Sequence, residues 1–160
     1  MKEINLTSTF TVFENLTELP KDVVDLFKKA VLARNNAYAP YSKFQVGVAI
    51  LLEDGSVVSA SNQENAAYPS GMCAERVAIW NAGASHPNKK IKKLVITAKS
   101  NSTTLNRPVG PCGACRQSIS EYEIKQEENI QIFFMGEVGK ILKSNSLSDL
   151  LPLSFDKTFL

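Results

Sequence analysis

Over residues 21–37, Val23, Leu26, Phe27, Ala30 and Val31 recur every three or four positions with charged residues between them, the pattern of a helix with one apolar face. Pro20 suits the first turn of that helix, and Pro40 disfavours helix at the residue before it. Residues 44–52 are apolar almost without interruption, as a strand buried on both faces would be. Asp54-Gly55 supplies a hairpin turn, and residues 57–61 return as the partner strand. A polar loop over 62–71 leads to a second helix, expected from about 73 to 82 and ended by Gly83. A strand over 91–98, a polar loop over 99–109 and a third helix over about 112–122 follow. Residues 130–135 and 139–143 read as two more strands, and Ser146 with Asp149 can cap a short last helix. Ahead of all this, residues 1–19 are polar with scattered apolar positions. The alternation Phe10-Thr11-Val12 suggests an extended segment, read as a partly ordered arm, with an added edge strand or an interface arm as the alternative.

The order of elements is helix, two strands, helix, strand, helix, two strands, helix, which predicts an α/β sheet with helices packed on its faces. At 160 residues the chain is expected to form a single domain over 20–160, preceded by an N-terminal extension over 1–19. A net charge of +2 offers neither a basic stripe nor an acidic tail, so no nucleic-acid partner is expected. The longest apolar run, 46–52, is strand-sized, so no membrane partner is expected either. Met1-Lys2-Glu3-Ile4-Asn5 lacks a signal peptide's apolar core, which points to a cytoplasmic protein with reduced thiols.

The chemistry is concentrated in two short stretches, Met72-Cys73-Ala74-Glu75-Arg76 and Pro111-Cys112-Gly113-Ala114-Cys115-Arg116, which hold all three cysteines. Three thiolates can take three corners of a zinc tetrahedron and leave the fourth for water, the layout of a catalytic site. Cys112 and Cys115, three apart at the start of a helix, lie on one side of its first turn. Glu75 follows Cys73 by two, and residues two apart on a helix diverge, so Cys73 must lie at or before the first turn for both to reach one ion. Three thiolates and Zn²⁺ already sum to minus one; a fourth anionic ligand is disfavoured, and Glu75 is left free to act as a base. Arg76 is the counter-charge, able to donate to the sulfurs. Other readings weaken in turn. Cys112 and Cys115 alone could be a redox pair, but a disulfide exchanger needs neither Cys73 nor Glu75. A structural zinc site or a thiol enzyme would call on the single histidine, His86, which lies beside Pro87 in a polar loop and is expected to be solvated.

Cys73-Ala-Glu75 with Pro111-Cys-x-x-Cys115 resembles the zinc-dependent cytidine deaminase superfamily. Tyr38-Ala-Pro-Tyr-Ser-Lys-Phe44-Gln-Val-Gly47 and Asn62-Gln-Glu64-Asn65-Ala-Ala-Tyr68 extend the likeness to the small, homotetrameric nucleoside deaminases. It runs over about 21–155, with departures at Gln63 and at Leu153-Ser154. The resemblance implies a three-layer α/β/α fold with a mixed five-stranded sheet and the two cysteine-bearing helices side by side. It implies one zinc ion per subunit on Cys73, Cys112 and Cys115, and Glu75 as catalytic acid and base, passing a proton from water to N3 of the pyrimidine and then serving again as ammonia leaves. It further implies that Phe44 packs on the pyrimidine, that Asn62 and Glu64 hold the ribose 3′-hydroxyl, and that backbone groups of Ala74 and Pro111 read the base edge. Ala66, Tyr68 and Phe155 would complete a neighbouring subunit's site in a homotetramer with shared active sites. The implied substrates are cytidine and 2′-deoxycytidine, and the implied role is pyrimidine salvage. Deaminases of blasticidin-type antibiotics, polynucleotide-editing deaminases and inactive metal modules are the competing classes; the Asn62–Glu64 pair and intact Glu75 speak against the first and the last.

Overall fold

The computed structural model describes residues 1–160. The elements are β1 (Phe10–Phe13), α1 (Lys21–Asn35), β2 (Phe44–Leu52), β3 (Val57–Ser61), α2 (Ala74–Ser85), β4 (Ile91–Ser100), α3 (Gly113–Gln126), β5 (Gln131–Met135) and β6 (Ile141–Ser144). The strands form one mixed sheet in the order β1-β6-β5-β4-β2-β3. Only β4 and β5 run parallel. A parallel neighbour needs a crossover connection, and here α3 supplies it.

Helix α1 covers one face of the sheet and α2 with α3 the other, which makes three layers. Val23, Leu26, Phe27 and Ala30 of α1 pack on Ala49, Val95, Phe133, Met135 and Ile141. Ala74, Ala78, Ile79 and Ala82 of α2 and Ile119 of α3 pack on Val48, Ile50, Leu94, Ile96, Ile132 and Phe134. Interior strand β2 sends Val48 and Ile50 to the second face and Ala49 to the first, which is why its sequence is apolar at successive positions.

Four expectations change. The sheet has six strands rather than five, because the N-terminal alternation is an edge strand: β1 pairs antiparallel with β6, Phe10 opposite Ser144 and Val12 opposite Leu142. Gly83 does not end α2, which continues to Ser85 with His86 as its C-terminal cap. Glycine stands at 83 because a Cβ there would come within 2.6 Å of the Tyr122 ring on α3. The last helix shrinks to a 3₁₀ turn, Leu147–Asp149, capped by Ser146. Asp149 is diverted from capping, since its carboxylate accepts from Thr9 N (3.1 Å) and so holds the start of β1. His86 is half-buried at the end of α2 rather than free in solvent.

Candidate active site

Backbone pairing brings the two cysteine segments and the 62–64 stretch together. Gln63 exchanges bonds with Met72 (N to O 2.9 Å and O to N 2.7 Å), while Asn62 O and Glu64 N bond the backbone of Tyr38 (3.1 and 2.8 Å). Residues 62–64 therefore lie between the segment before β2 and the segment before α2. Cys73 is the N-terminal cap of α2 and Cys112 that of α3, each with extended backbone. The spacing argument on Cys73 and Glu75 is met: the sulfur precedes the helix and the carboxyl lies in its first turn. Cys115 is buried in the first turn of α3.

The three Sγ atoms lie within 4.8 Å of one another, with Cys112 and Cys115 at 3.4 Å. Four ligands around zinc at about 2.3 Å require sulfurs about 3.8 Å apart, so the cluster fits one zinc ion. Cys73 and Cys112 also line a cavity of about 790 Å³. The sulfurs are electrostatically unequal. A hydrogen bond from Cys115, then the Arg76 guanidinium, holds the Cys73 thiol well below its usual range, while Cys115 is pushed up by donating to Cys73 and by burial. Arg76 Nη2 lies 3.6 Å from Cys73 Sγ and its guanidinium packs over the Trp80 ring at 5.9 Å. Arg76 is thus the counter-charge expected from its spacing.

Glu75 is 6% exposed, lines the same cavity, and has its carboxyl pushed up to about 7, by burial first and by the charge of Cys73 behind it. A carboxyl poised there both takes and returns a proton near neutral pH. Phe44, Asn62 and Glu64 line the cavity too. Asn62 spends one lone pair on Val46 N (2.8 Å) and one N–H on Phe44 O (2.9 Å), which leaves each amide atom one further bond. The Glu64 carboxylate accepts from Tyr41 N (2.9 Å), Ser42 N (3.3 Å) and the Ser42 hydroxyl. These bonds, the Ser42 hydroxyl first, hold its pKa below the usual carboxylate range.

Ala74, the residue after Cys73, and Pro111, the residue before Cys112, are buried and do not line the cavity. Tyr68 lines the cavity of its own chain, 6.2 Å from the Tyr41 ring. Ala66 is exposed nearby, and Phe155 stands apart, stacked on Phe159 at 5.6 Å. Sequence reasoning passed over three contributors. Tyr41 and Ser42 orient Glu64; both stand in the motif quoted above, and the left-handed Lys43 (φ 56°) beside them is a strained position at the cavity edge. Arg116, next to Cys115, bonds Pro111 O (2.9 Å) and Leu150 O (3.0 Å) and so fixes the loop that carries Cys112. An arginine at that spacing gave no signal of its own, because its partners are carbonyls.

A family model described as the cytidine and deoxycytidylate deaminase zinc-binding region matches residues 20–127. A cytidine deaminase of Halalkalibacterium halodurans is 38% identical over 130 residues, 81% of this chain and 91% of that protein. One of Sporosarcina psychrophila is 38% identical over 136 residues, 85% of this chain and 93% of that protein. The crystal structure of a cytidine deaminase from Burkholderia pseudomallei superposes with a TM-score of 0.71 at 34% identity, covering 82% of this chain and 97% of that one.

Proposed function

The chain belongs to the cytidine and deoxycytidylate deaminase family, and on that premise we propose that it hydrolyses free cytidine and 2′-deoxycytidine to uridine and 2′-deoxyuridine with release of ammonia, as a step of pyrimidine salvage in the cytoplasm. One observation supports this most: three sulfurs gathered at two helix N-termini, with the buried carboxyl of Glu75 on the same cavity. Cys73, Cys112 and Cys115 are the residues to hold one zinc ion per chain. Zinc bound there supplies Lewis acidity and a water whose pKa falls to about 7. Glu75 accepts a proton from the attacking water and delivers it to ring N3, which makes C4 electrophilic. The water oxygen bonds C4, and Glu75 then carries the remaining hydroxyl proton to the amino group as the C4–N4 bond breaks, so water is consumed and ammonia leaves.

Phe44 packs on the pyrimidine. The remaining donor of Asn62 and the remaining lone pair of Glu64 suit one hydroxyl, the ribose 3′-OH. Backbone groups of Ala74 and Pro111 read the base edge, the Pro111 carbonyl keeping one lone pair beside its bond from Arg116. In this reading residues 20–160 are the catalytic domain and residues 1–19 extend it. Four chains assemble, with Ala66, Tyr68 and Phe155 serving a neighbour's site. No helix is long and apolar enough to cross a membrane.

The test is direct. Purified protein is given cytidine, and the loss of its ultraviolet absorbance is followed alongside ammonia and zinc content. Uridine and ammonia in equal amounts, with one zinc per chain, are expected. Inertness toward cytidine together with deamination of a blasticidin-type antibiotic would move the assignment to another cytosine compound.

A further inference from the structure

Strand β1 lies outside the stretch that matches the family model, which begins at residue 20. It is nonetheless pinned at both ends, by Thr9 N on Asp149 Oδ1 (3.1 Å) and by the Lys140–Glu14 ion pair (2.9 Å). Its register sets Val12 opposite Leu142, and β5 sets Phe134 opposite Leu142 in turn, so Phe10 and Val12 share the sheet face of Phe134. The Phe10 ring meets the Phe134 ring edge-on, 6.5 Å between centroids at 82°. Phe134, 5% exposed, reaches Gly110 with the same ring: a Cβ on that glycine would stand 3.5 Å from it. Gly110 lines the active-site cavity and is followed directly by Pro111 and Cys112.

The loop needs such a backing. Glu137 N and Val138 N bond Leu105 O, and Arg116 bonds Pro111 O, but neither Val109 nor Gly110 joins a turn or loop backbone bond. Packing against Phe134 is the support at Gly110, one residue ahead of the Pro111 carbonyl that Arg116 holds. We propose that β1 is a positioning element of the active site, with Phe10 acting through Phe134 on Gly110 and so on the placement of Cys112. The proposal rests on Cys112 being a zinc ligand.

Full-length, zinc-loaded protein carrying Phe10→Ala is compared with the unsubstituted enzyme for kcat and KM on cytidine and for the rate at which zinc passes to a colorimetric chelator. Groups hydrogen-bonded directly to metal ligands carry about 10–100-fold in activity or metal affinity; Phe10 acts at a further remove, so kcat is expected to fall by up to about tenfold with KM little changed, and zinc to leave faster by a similar factor. Phe10→Tyr, which keeps the ring edge, restores both. Val12→Ala, on the same face of β1 but two residues along, leaves both as they were. Unchanged kcat and zinc release in Phe10→Ala, or the same effects from Val12→Ala, would overturn the proposal. Should Phe10→Ala fail to fold, Phe10→Leu keeps the strand apolar while removing the ring, and is expected to shift both readouts the same way by a smaller factor; no shift overturns the proposal equally. Cys112→Ser is run alongside. If it keeps zinc and activity, the ligand assignment fails, and that failure is distinct from a null result at Phe10.

Discussion

In the proposed mechanism Glu75 is the residue on which the chemistry turns, and it is not one of the three clustered ligand residues. Glu75→Gln preserves shape and burial but cannot move a proton. It is expected to keep one zinc per chain by elemental analysis while kcat falls by roughly 10²–10⁴. Loss of zinc from this variant would make Glu75 a ligand. At Glu64 the anchoring by Tyr41 and Ser42 keeps the carboxylate charged at neutral pH. A phosphate at the ribose 3′ position would then face a like charge, which at about 4 Å costs from about 1 kcal/mol in water to about 4 kcal/mol at an effective dielectric of 20. Cytidine 3′-monophosphate is expected to be turned over roughly tenfold or more below cytidine, and Glu64→Gln to narrow that gap while weakening turnover of the nucleoside. Competition kinetics on the two substrates would show it. Comparable turnover of both by the unsubstituted enzyme would remove the ribose role. At this scale the sequence was legible wherever one residue's chemistry suffices, as at Cys73, Glu75 and Arg76. It was not legible at Ser42 and Arg116, whose parts depend on which backbone groups the fold brings to them.

At the level of elements, the close pairing of α2 with α3 sets the relative position of Cys73 and Cys112, and Gly83 against Tyr122 is one point of that contact. Gly83→Ala would gain roughly 0.5–1 kcal/mol of helix stability. Forcing the Tyr122 ring aside is expected to outweigh this, since overpacking costs about 1–3 kcal/mol. Denaturant titration should show net destabilisation that largely disappears in a Tyr122→Ala background. The glycine illustrates where periodicity misleads: on sequence alone it has the look of a helix terminator, and only the neighbouring helix reveals it as a packing position. Strand β1 was obscure for a related reason. Its four residues carry a single turn of alternation, and its partner β6 lies more than a hundred positions away. The apolar periodicity of α1 and the continuous run of β2, by contrast, state their burial locally, and both elements fall close to where they were expected.

As a whole, the chain leaves aromatic and aliphatic surface uncovered near its C-terminus, with Leu153 82%, Phe155 58% and Phe159 68% exposed, and Tyr68 at 77% beside the cavity. Assembly would bury such surface. Sedimentation of the native protein is expected to give four chains, and a fully active monomer would exclude shared sites. The layered architecture was readable from the alternation of elements; the strand order was not, because it depends on pairings between distant segments. The cysteine cluster carries a further consequence that concerns the unfolded chain. Residues 73 and 112 are 39 positions apart, and β4 runs between them. An ion bonded to both would staple that stretch into a ring of about 40 residues, which by the loop-entropy relation removes about 4 kcal/mol of disorder from the denatured ensemble. Against a typical stability of about 5–15 kcal/mol, that is a large share. Chelation is therefore expected to lower the melting temperature even with no substrate present, by differential scanning calorimetry, and Cys112→Ser to abolish the dependence on metal. A chelating medium would thus take from such an enzyme a share of its fold's stability together with its chemistry.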